Sequence, residues 1–201
     1  KFLSHIREVD AIIHMIRCFD STNIQNVNPS VDPVRDFEII ETEMMLADLD
    51  SIEKRLEKNK KKIIDNKVIE LLEACKDNIN NNKDLTDLKN QFDKKNINES
   101  GLLSLKPKIF VCNVDEKSID TGNYHTESFI KKFGKENTLI ISADIENQIN
   151  ELDIKEKQNY MDMIGLKDTG INMLIKKGYE ILGLDTYFTS GPEETRAWTI
   201  E

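Results

Sequence analysis

Short, nearly continuous apolar runs alternate with segments of helical spacing along this chain. The runs at residues 10–19, 109–112 and 138–141 are rich in β-branched side chains and end in polar residues. Runs of this length and composition are typical of strands buried on both faces of a parallel sheet. The pattern therefore predicts an α/β fold, in which right-handed crossovers connect the strands through helices.

A long helical segment interrupts this alternation. From residue 36 onwards, apolar side chains recur at alternating steps of four and three residues, and the rhythm returns at residues 64–75 after a charged stretch. Such seams favour an antiparallel coiled-coil hairpin, inserted into the α/β domain. One long bent helix is the alternative. The first seam consists of Met45, Leu49, Ile52 and Leu56.

The remaining elements are shorter. Residues 21–33 are rich in Asn, Ser and Pro and are predicted to form a loop. Residues 194–200 alternate enough to be a strand, which we expect to lack its partners. Further helices are predicted around residues 85–92, 129–133, 145–152 and 170–182.

Composition narrows the class of protein. Of the 201 residues 38% are hydrophobic and 32% charged, and no apolar run approaches the ~18 residues that a membrane-spanning helix needs. We expect no signal peptide, because the first ten residues are charged. The cysteines are odd in number and widely separated, which favours a reducing compartment, and neither they nor the three histidines show metal-ligand spacing. A cytoplasmic protein without membrane contact is predicted.

The net charge of −9 would repel a phosphate backbone at long range, so no DNA binding is expected. The one dense basic stretch is Lys58–Lys62. It is either a solvated helix end or a local contact with RNA.

Two strand ends carry residues suited to a purine base. The second strand ends in Asn113-Val114-Asp115-Glu116, and the third in Ser142-Ala143. An asparagine offers both a donor and an acceptor to a purine edge, and backbone amides of the Ser-Ala turn can face the same ring. Because ligands bind at the carboxyl ends of parallel strands, we expect these segments to meet there.

The first motif departs from the guanine-reading pattern Asn-Lys-x-Asp of GTPase-like folds. Val114 replaces the lysine, and the longer Glu116 replaces the aspartate. These changes predict an altered preference, for adenine.

The sequence around these motifs resembles the YchF family of Obg-like ATPases. KFLSHIREVDAIIHMIRCF at residues 1–19 is similar to the family's segment after switch II, and DFEIIETEMMLADLD at 36–50 to the entry into its helical insertion. GYEILGLDTYFTSG at 178–191 and RAWTI at 196–200 resemble the helix and first strand that lead into the TGS domain. The likeness covers nearly the whole chain and is weakest at residues 57–100.

The resemblance implies an incomplete P-loop NTPase-type parallel sheet with the inserted hairpin. It divides the chain into a central part of the G domain (1–45), the coiled-coil insertion (46–100), the C-terminal part of the G domain (101–183) and the start of a TGS domain (184–201). It also implies a magnesium-dependent hydrolase of ATP and GTP that associates with ribosomes.

Carried onto matching positions, the family's base site falls on residues of this chain. Asn113 and Glu116 would contact the base, and Val114 would pack near it. Phe19 matches an aromatic that lines the purine pocket, with core packing as its alternative. The far side of the ring would be closed by Ser142, Ala143 and Asp144.

Two departures limit this expectation. The chain has no phosphate-binding Gly-x-x-x-x-Gly-Lys-Ser/Thr loop. Only Gly134 precedes a lysine, and Glu136 follows at the position where a magnesium-binding hydroxyl is needed. The Asp-x-x-Gly segment on the magnesium side is missing too. The chain is thus expected to be an internal fragment, inactive alone, with no catalytic or metal-binding residue; Mg²⁺ would accompany ATP or GTP in the parent. Asn26 stands where many family members have a histidine.

Two other functions stay open. The chain could be a non-enzymatic interaction module, which binds a ribosome or RNA through the hairpin. It could also be a generic helical α/β domain in which the Asn113–Glu116 motif is a coincidence.

Overall fold

A computed structural model describes residues 2–24, 28, 30–58 and 65–200. These residues form two compact units, one from Lys1–Ile12 and Phe37–Pro107 and the other from Ile13–Asp36 and Lys108–Glu201. The helices are α1 (Phe2–Ile6), α2 (Pro33–Lys58), α3 (Asn66–Asn80), α4 (Thr86–Gln91), α5 (Lys94–Ser100), α6 (Tyr124–Phe133), α7 (Ala143–Glu151), α8 (Ile154–Met163) and α9 (Gly170–Leu182). The strands are β1 (Ile12–Arg17), β2 (Lys108–Asn113), β3 (Thr138–Ile141), β4 (Asp185–Ser190) and β5 (Thr195–Ile200).

Strands β1, β2 and β3 form one sheet in that order. β2 and β3 run parallel, with Phe110 opposite Thr138 and Asn113 opposite Ile141. Helices cover β2 on both sides, because Phe110 meets Phe129 of α6 edge to face at 5.5 Å while its alternate residues pack against α9. The predicted α/β alternation is therefore confirmed. The cluster on the α9 side contains Ile109, Val111, Ile141, Leu174 and Ile181.

The apolar run at residues 10–19 had predicted that strand β1 is buried on both faces. That prediction is wrong. Ile13 is 54% exposed and Met15 is 62% exposed, whereas Ile16 and Cys18 are buried. Successive side chains of a strand point to opposite faces, so Ile13 and Met15 share one face of β1, which is one of the two edge strands of the sheet. One face of it therefore lies open among the described residues.

Helices α2 and α3 form the predicted hairpin. Ile52 of α2 lies in one buried cluster with Val68 and Leu72 of α3, and Glu53 pairs with Lys76 at 3.1 Å. Residues so far apart in sequence cannot meet along one bent helix, so the antiparallel arrangement is confirmed. Within the basic stretch only Lys58 belongs to the described residues; the rest of that stretch lies outside them, as does Asn26.

A buried carboxylate organises the same unit. Asp48 of α2 is fully buried, and its two oxygens accept from the backbone amides of Leu103 at 3.0 Å and Ser104 at 2.8 Å. The guanidinium of Arg7 lies 3.6 Å from one of these oxygens. The acid thus holds the segment that leads into β2 against α2.

The C-terminal segment differs from the prediction. β5 has a partner, because it pairs antiparallel with β4 in a two-stranded ribbon that sets Tyr187 opposite Trp198. The indole Nε1 donates to the hydroxyl of Thr189 at 2.8 Å. The expectation of a strand without partners is wrong, because the partner β4 directly precedes β5 in the chain.

Helices α5 and α8 were also not predicted. Their sequences, KKNINES and IKEKQNYMDM, are polar and lack an apolar stripe. α8 begins instead at a local cap, since the carboxylate of Asp153 accepts from the amides of Lys155 and Glu156. In the described part of the chain, no helix has the length and apolar character to cross a membrane.

The start of α9 packs tightly against β3 and α7. A Cβ on Gly170 would lie 2.7 Å from Cγ2 of Ile141 and 2.9 Å from Oε1 of Glu146. That same Oε1 accepts from the amide of Gly170 at 2.6 Å. Only glycine allows the helix to begin this close to the sheet.

We expect Gly170→Ala to lower the free energy of unfolding by about 1 to 3 kcal/mol, because the new methyl group overpacks a core side chain. Gly178→Ala is the matched control, because a Cβ there meets nothing within 4 Å in the same helix. It should raise the free energy of unfolding by about 0.5 to 1 kcal/mol. Urea unfolding measures both, and equal effects would contradict this account of the helix start.

Asp48→Ala should cost about 2 to 5 kcal/mol of stability, because it leaves the two buried amides of Leu103 and Ser104 without an acceptor. Asp50→Ala removes an exposed carboxylate that pairs with Lys54 in the same helix. Its expected cost is at most about 0.5 kcal/mol. Thermal unfolding of the two variants compares them; similar losses would show that Asp48 has no special role.

Candidate nucleotide-base site

Asn113 joins the ends of three neighbouring segments. Its Oδ1 accepts from the amide of Ala143 at 3.0 Å, and its backbone oxygen accepts from the amide of Cys18 at 2.8 Å. The amide of Val114 in turn donates to the carbonyl of Ile141 at 2.9 Å. The predicted meeting of residues 113 and 142–143 at the carboxyl edge of the sheet is therefore present. Because Oδ1 is engaged, the NH₂ group is the part of this carboxamide left to donate to a ligand.

Ser142 precedes α7 and carries an unsatisfied hydroxyl. The residue is fully buried, and its Oγ has no hydrogen-bond partner within the described part of the chain. Buried hydroxyls without a partner are rare in folded proteins, and each calls for an explanation such as a ligand or a water molecule. Ala143 and Asp144 follow as exposed residues in the first turn of α7.

The role expected of the Ala143 amide needs correction. The sequence predicted that the Ser-Ala turn presents its amides to the ring, but the Ala143 amide donates to Asn113 instead. The physical reason is that an amide in the first helical turn has no partner within its helix and takes the nearest acceptor. In this turn the Ala143 amide therefore holds the asparagine in place.

The carboxylate of Glu116 is held by Gln148, a residue that the sequence analysis did not identify. Glu116 is exposed at the start of a 3₁₀ turn, Glu116–Ser118, and its Oε1 accepts from Nε2 of Gln148 at 2.6 Å. Gln148 belongs to α7, so the Asn113–Glu116 segment contacts that helix at two points. Val114 lies between them and is buried at 2% exposure, as a core residue.

Phe19 lies just beyond β1 and is half-buried. The guanidinium of Arg17 lies 4.9 Å from the centre of its ring, and Nε of Arg17 donates to its carbonyl at 3.1 Å. The carbonyl of Cys18 accepts from Nδ2 of Asn123 at 2.7 Å. The backbone at Phe19 is thus fixed from both sides, and its contact with a base stays a prediction.

Asn123 also caps the start of α6, and this role can be predicted from the sequence. With Thr126 it forms a reciprocal capping box at the start of α6: Oδ1 accepts from the Thr126 amide at 3.1 Å, and the Thr126 hydroxyl accepts from the Asn123 amide at 2.7 Å. Asparagine is a preferred N-cap residue, so Asn123 ahead of the apolar stripe of α6 is a helix-start signal in the sequence. No comparable sequence signal marks Gln148, because its two partners, Glu116 and Tyr160, lie in other elements of the chain.

Two thiols lie at the ends of β1 and β2. Cys18 and Cys112 are both buried and free. Their mutual hydrogen bond, and then burial, raise the pKa of Cys18, while the same hydrogen bond lowers the pKa of Cys112 against the effect of burial. Cys18 therefore stays protonated at neutral pH and behaves as a small apolar residue.

No group of three or more His, Cys, Asp or Glu side chains suited to a metal ion occurs among residues 2–24, 28, 30–58 and 65–200. His125 and Asp20, 3.3 Å apart, make only a pair.

Comparison with known proteins gives a consistent result. The chain is 37% identical over 214 residues to the "Ribosome-binding ATPase YchF" of Bacillus subtilis (strain 168), covering 100% of this chain and 58% of the relative. Against the proteins of the same name in Escherichia coli O157:H7 and Mycoplasma pneumoniae the identity is 37% and 34%, over 57% and 59% of their lengths. No protein-family model matches.

A solved structure agrees in fold. The Schizosaccharomyces pombe YchF GTPase superposes with a TM-score of 0.74 at 28% identity, covering 99% of this chain and 57% of that protein. The chain therefore spans less than two thirds of the proteins that it matches. Over its whole length it is a homologue of the YchF proteins, as the resemblance of its motifs had predicted.

Proposed function

We propose that this chain forms the base-recognition part of a nucleotide site, in a protein that hydrolyses ATP and GTP. The observation that carries the proposal is the bond between Asn113 Oδ1 and the Ala143 amide, beside the unsatisfied hydroxyl of Ser142. That bond engages Oδ1 and leaves the NH₂ group to donate, at the edge where parallel sheets bind their ligands.

The proposed roles follow from the chemistry of each group. The NH₂ of Asn113 donates to a ring nitrogen, and the carboxylate of Glu116 accepts from an exocyclic amino group. Phe19 covers one face of the ring. The buried Val114 supports the motif from the core. The opposite face is closed by Ser142, Ala143 and Asp144.

Adenine is the preferred base in this proposal. A glutamate in place of aspartate reaches further from the backbone, and Val114 offers no cation of the kind that the lysine of Asn-Lys-x-Asp supplies. Both differences weaken the reading of guanine. The relatives are named ATPases in bacteria and a GTPase in fission yeast, so the comparisons leave the base open.

Hydrolysis itself requires groups at the γ-phosphate, where positioning and charge do the catalysis. These 201 residues contain no phosphate-binding Gly-x-x-x-x-Gly-Lys-Ser/Thr loop. Mg²⁺ would accompany the nucleotide, neutralising phosphate charge, but the donor groups described above do not form a site for it. We therefore assign no catalytic or metal-binding residue within this chain.

The partner and the domain division belong to the same proposal. The relatives' name supports ribosome association and a cytoplasmic location. The division at residues 45, 100 and 183 stays a prediction, as does the assignment of the β4–β5 ribbon to a TGS domain. Should the chain act without nucleotide, the α2–α3 hairpin is the proposed contact with the ribosome or RNA, because the sequence between its two packed helices is rich in lysine.

Asn113→Ala in the full-length protein should weaken ATP binding by about 1 to 3 kcal/mol, through the loss of its polar contacts with the base. In the free protein the amide of Ala143 should also exchange its hydrogen faster. Asn147→Ala is the matched control, since it removes another exposed carboxamide of the same region, one that bonds Glu151. Titration calorimetry that gives equal ATP affinity for wild type and Asn113→Ala would refute the base site.

Charge reversal of Lys58 and Lys60 should weaken ribosome binding and flatten its dependence on salt, because fewer counterions are released on binding. Reversal of Lys131 and Lys135 makes the same change in net charge elsewhere in the chain. Sedimentation with ribosomes over a range of salt concentrations compares the two. If both pairs act alike, net charge alone explains the effect and the hairpin has no special part.

A further inference from the structure

Three side chains beside the proposed base site form a relay. Tyr160 of α8 packs against the buried cluster of Ile145, Ile149 and Met161, which anchors its ring. Its hydroxyl donates to Oε1 of Gln148, and Nε2 of Gln148 donates to Oε1 of Glu116 at 2.6 Å. The relay therefore runs from an anchored phenol, through one carboxamide, to the carboxylate of the motif.

The order of donors and acceptors fixes the orientation of the carboxamide. A phenol hydroxyl donating to Oε1 requires the NH₂ group of Gln148 to point the other way, towards Glu116. A bond from an amide to a carboxylate is charge-assisted and therefore stronger than one between two neutral groups. Oε1 of Glu116 is thereby held towards Gln148, and the carboxylate has a defined direction.

The direction of this carboxylate affects base selection, because guanine and adenine differ in the number of adjacent hydrogen-bond donors on the ring edge. Guanine presents two, the ring N1–H and the 2-amino group, and a carboxylate reads both when its two oxygens are available. Adenine presents only its 6-amino group, for which one oxygen is enough. We infer that Gln148, oriented by Tyr160, determines the choice of purine by holding Oε1 of Glu116 towards α7, so that Oε2 is the oxygen that faces the base. This inference rests on the proposed function.

A purely structural purpose does not explain the relay. Gln148 and Glu116 are both exposed, and polar pairs on the surface contribute little to stability. Helix α7 is also already held by other contacts, through Asn113 at its start and through Glu146, which bonds Gly170 at the start of α9. The relay adds little to the fold, but it constrains Glu116, an exposed acid of the motif that contains Asn113.

The test compares guanosine and inosine triphosphates, which differ only in the 2-amino group, in full-length protein under non-hydrolysing conditions. In the wild type the two should bind equally, and ATP more tightly than either. In Gln148→Met the freed oxygen accepts from the 2-amino group, so GTP should bind about tenfold more tightly than inosine triphosphate. Tyr160→Phe, which only loosens the orientation of Gln148, should give a ratio of about threefold.

Gln158→Met is the matched control, because Gln158 is an exposed glutamine that donates to a carboxylate, Asp162, at 2.9 Å. It should leave all three affinities unchanged. A Gln148→Met protein that binds ATP but does not distinguish the guanosine from the inosine nucleotide would overturn the inference alone. So would an equal loss of affinity for all three nucleotides. A wild type that binds no purine nucleotide would overturn the proposed function, and the inference with it.

Discussion

The hydrogen bond from the Ala143 amide to Oδ1 of Asn113 is the contact on which the candidate site depends. It links the end of β2 to the start of α7 across 30 positions of sequence. Parallel pairing of β2 with β3 brings the two backbones together, but pairing alone leaves the carboxamide free to rotate. The bond orients it, and the first-turn amide of α7, which has no partner in its own helix, gains an acceptor at the same time. One contact thus serves the helix and the site together.

Helix α7 contacts both acidic and amide residues of the candidate site and also the start of α9. Its first amide holds Asn113, Gln148 on its exposed side holds Glu116, and Glu146 holds the amides at the start of α9. The close approach of Gly170 keeps that last contact short. Any shift of the helix would therefore disturb all three contacts, so the geometry at the sheet edge is coupled to the packing of α9.

The buried and the exposed acidic side chains have different roles. Asp48 is fully buried and Glu146 is 8% exposed, and both spend their oxygens on backbone amides. A buried carboxylate has to be satisfied in this way, because an unpaired charge in the interior is costly. Glu116 is exposed and engages only one oxygen with Gln148 among the hydrogen bonds of the described chain. Of these three acids, it alone is placed to meet a ligand.

Local patterns in the sequence are enough to predict the α/β class, the hairpin, the positions of β2, β3 and α9, and the two motifs at the strand ends, because apolar periodicity and motif spacing are local properties. Homology to YchF proteins could likewise be read from segments of the chain. Three features required the folded structure: the exposure of Ile13 and Met15 on β1, the pairing of β5 with β4, and the hydrogen bond from the Ala143 amide to Asn113. The role of Gln148 also appears only in three dimensions, because its two partners, Glu116 and Tyr160, come from different elements. Exposure, pairing and side-chain contact depend on residues distant in sequence, which no local pattern records.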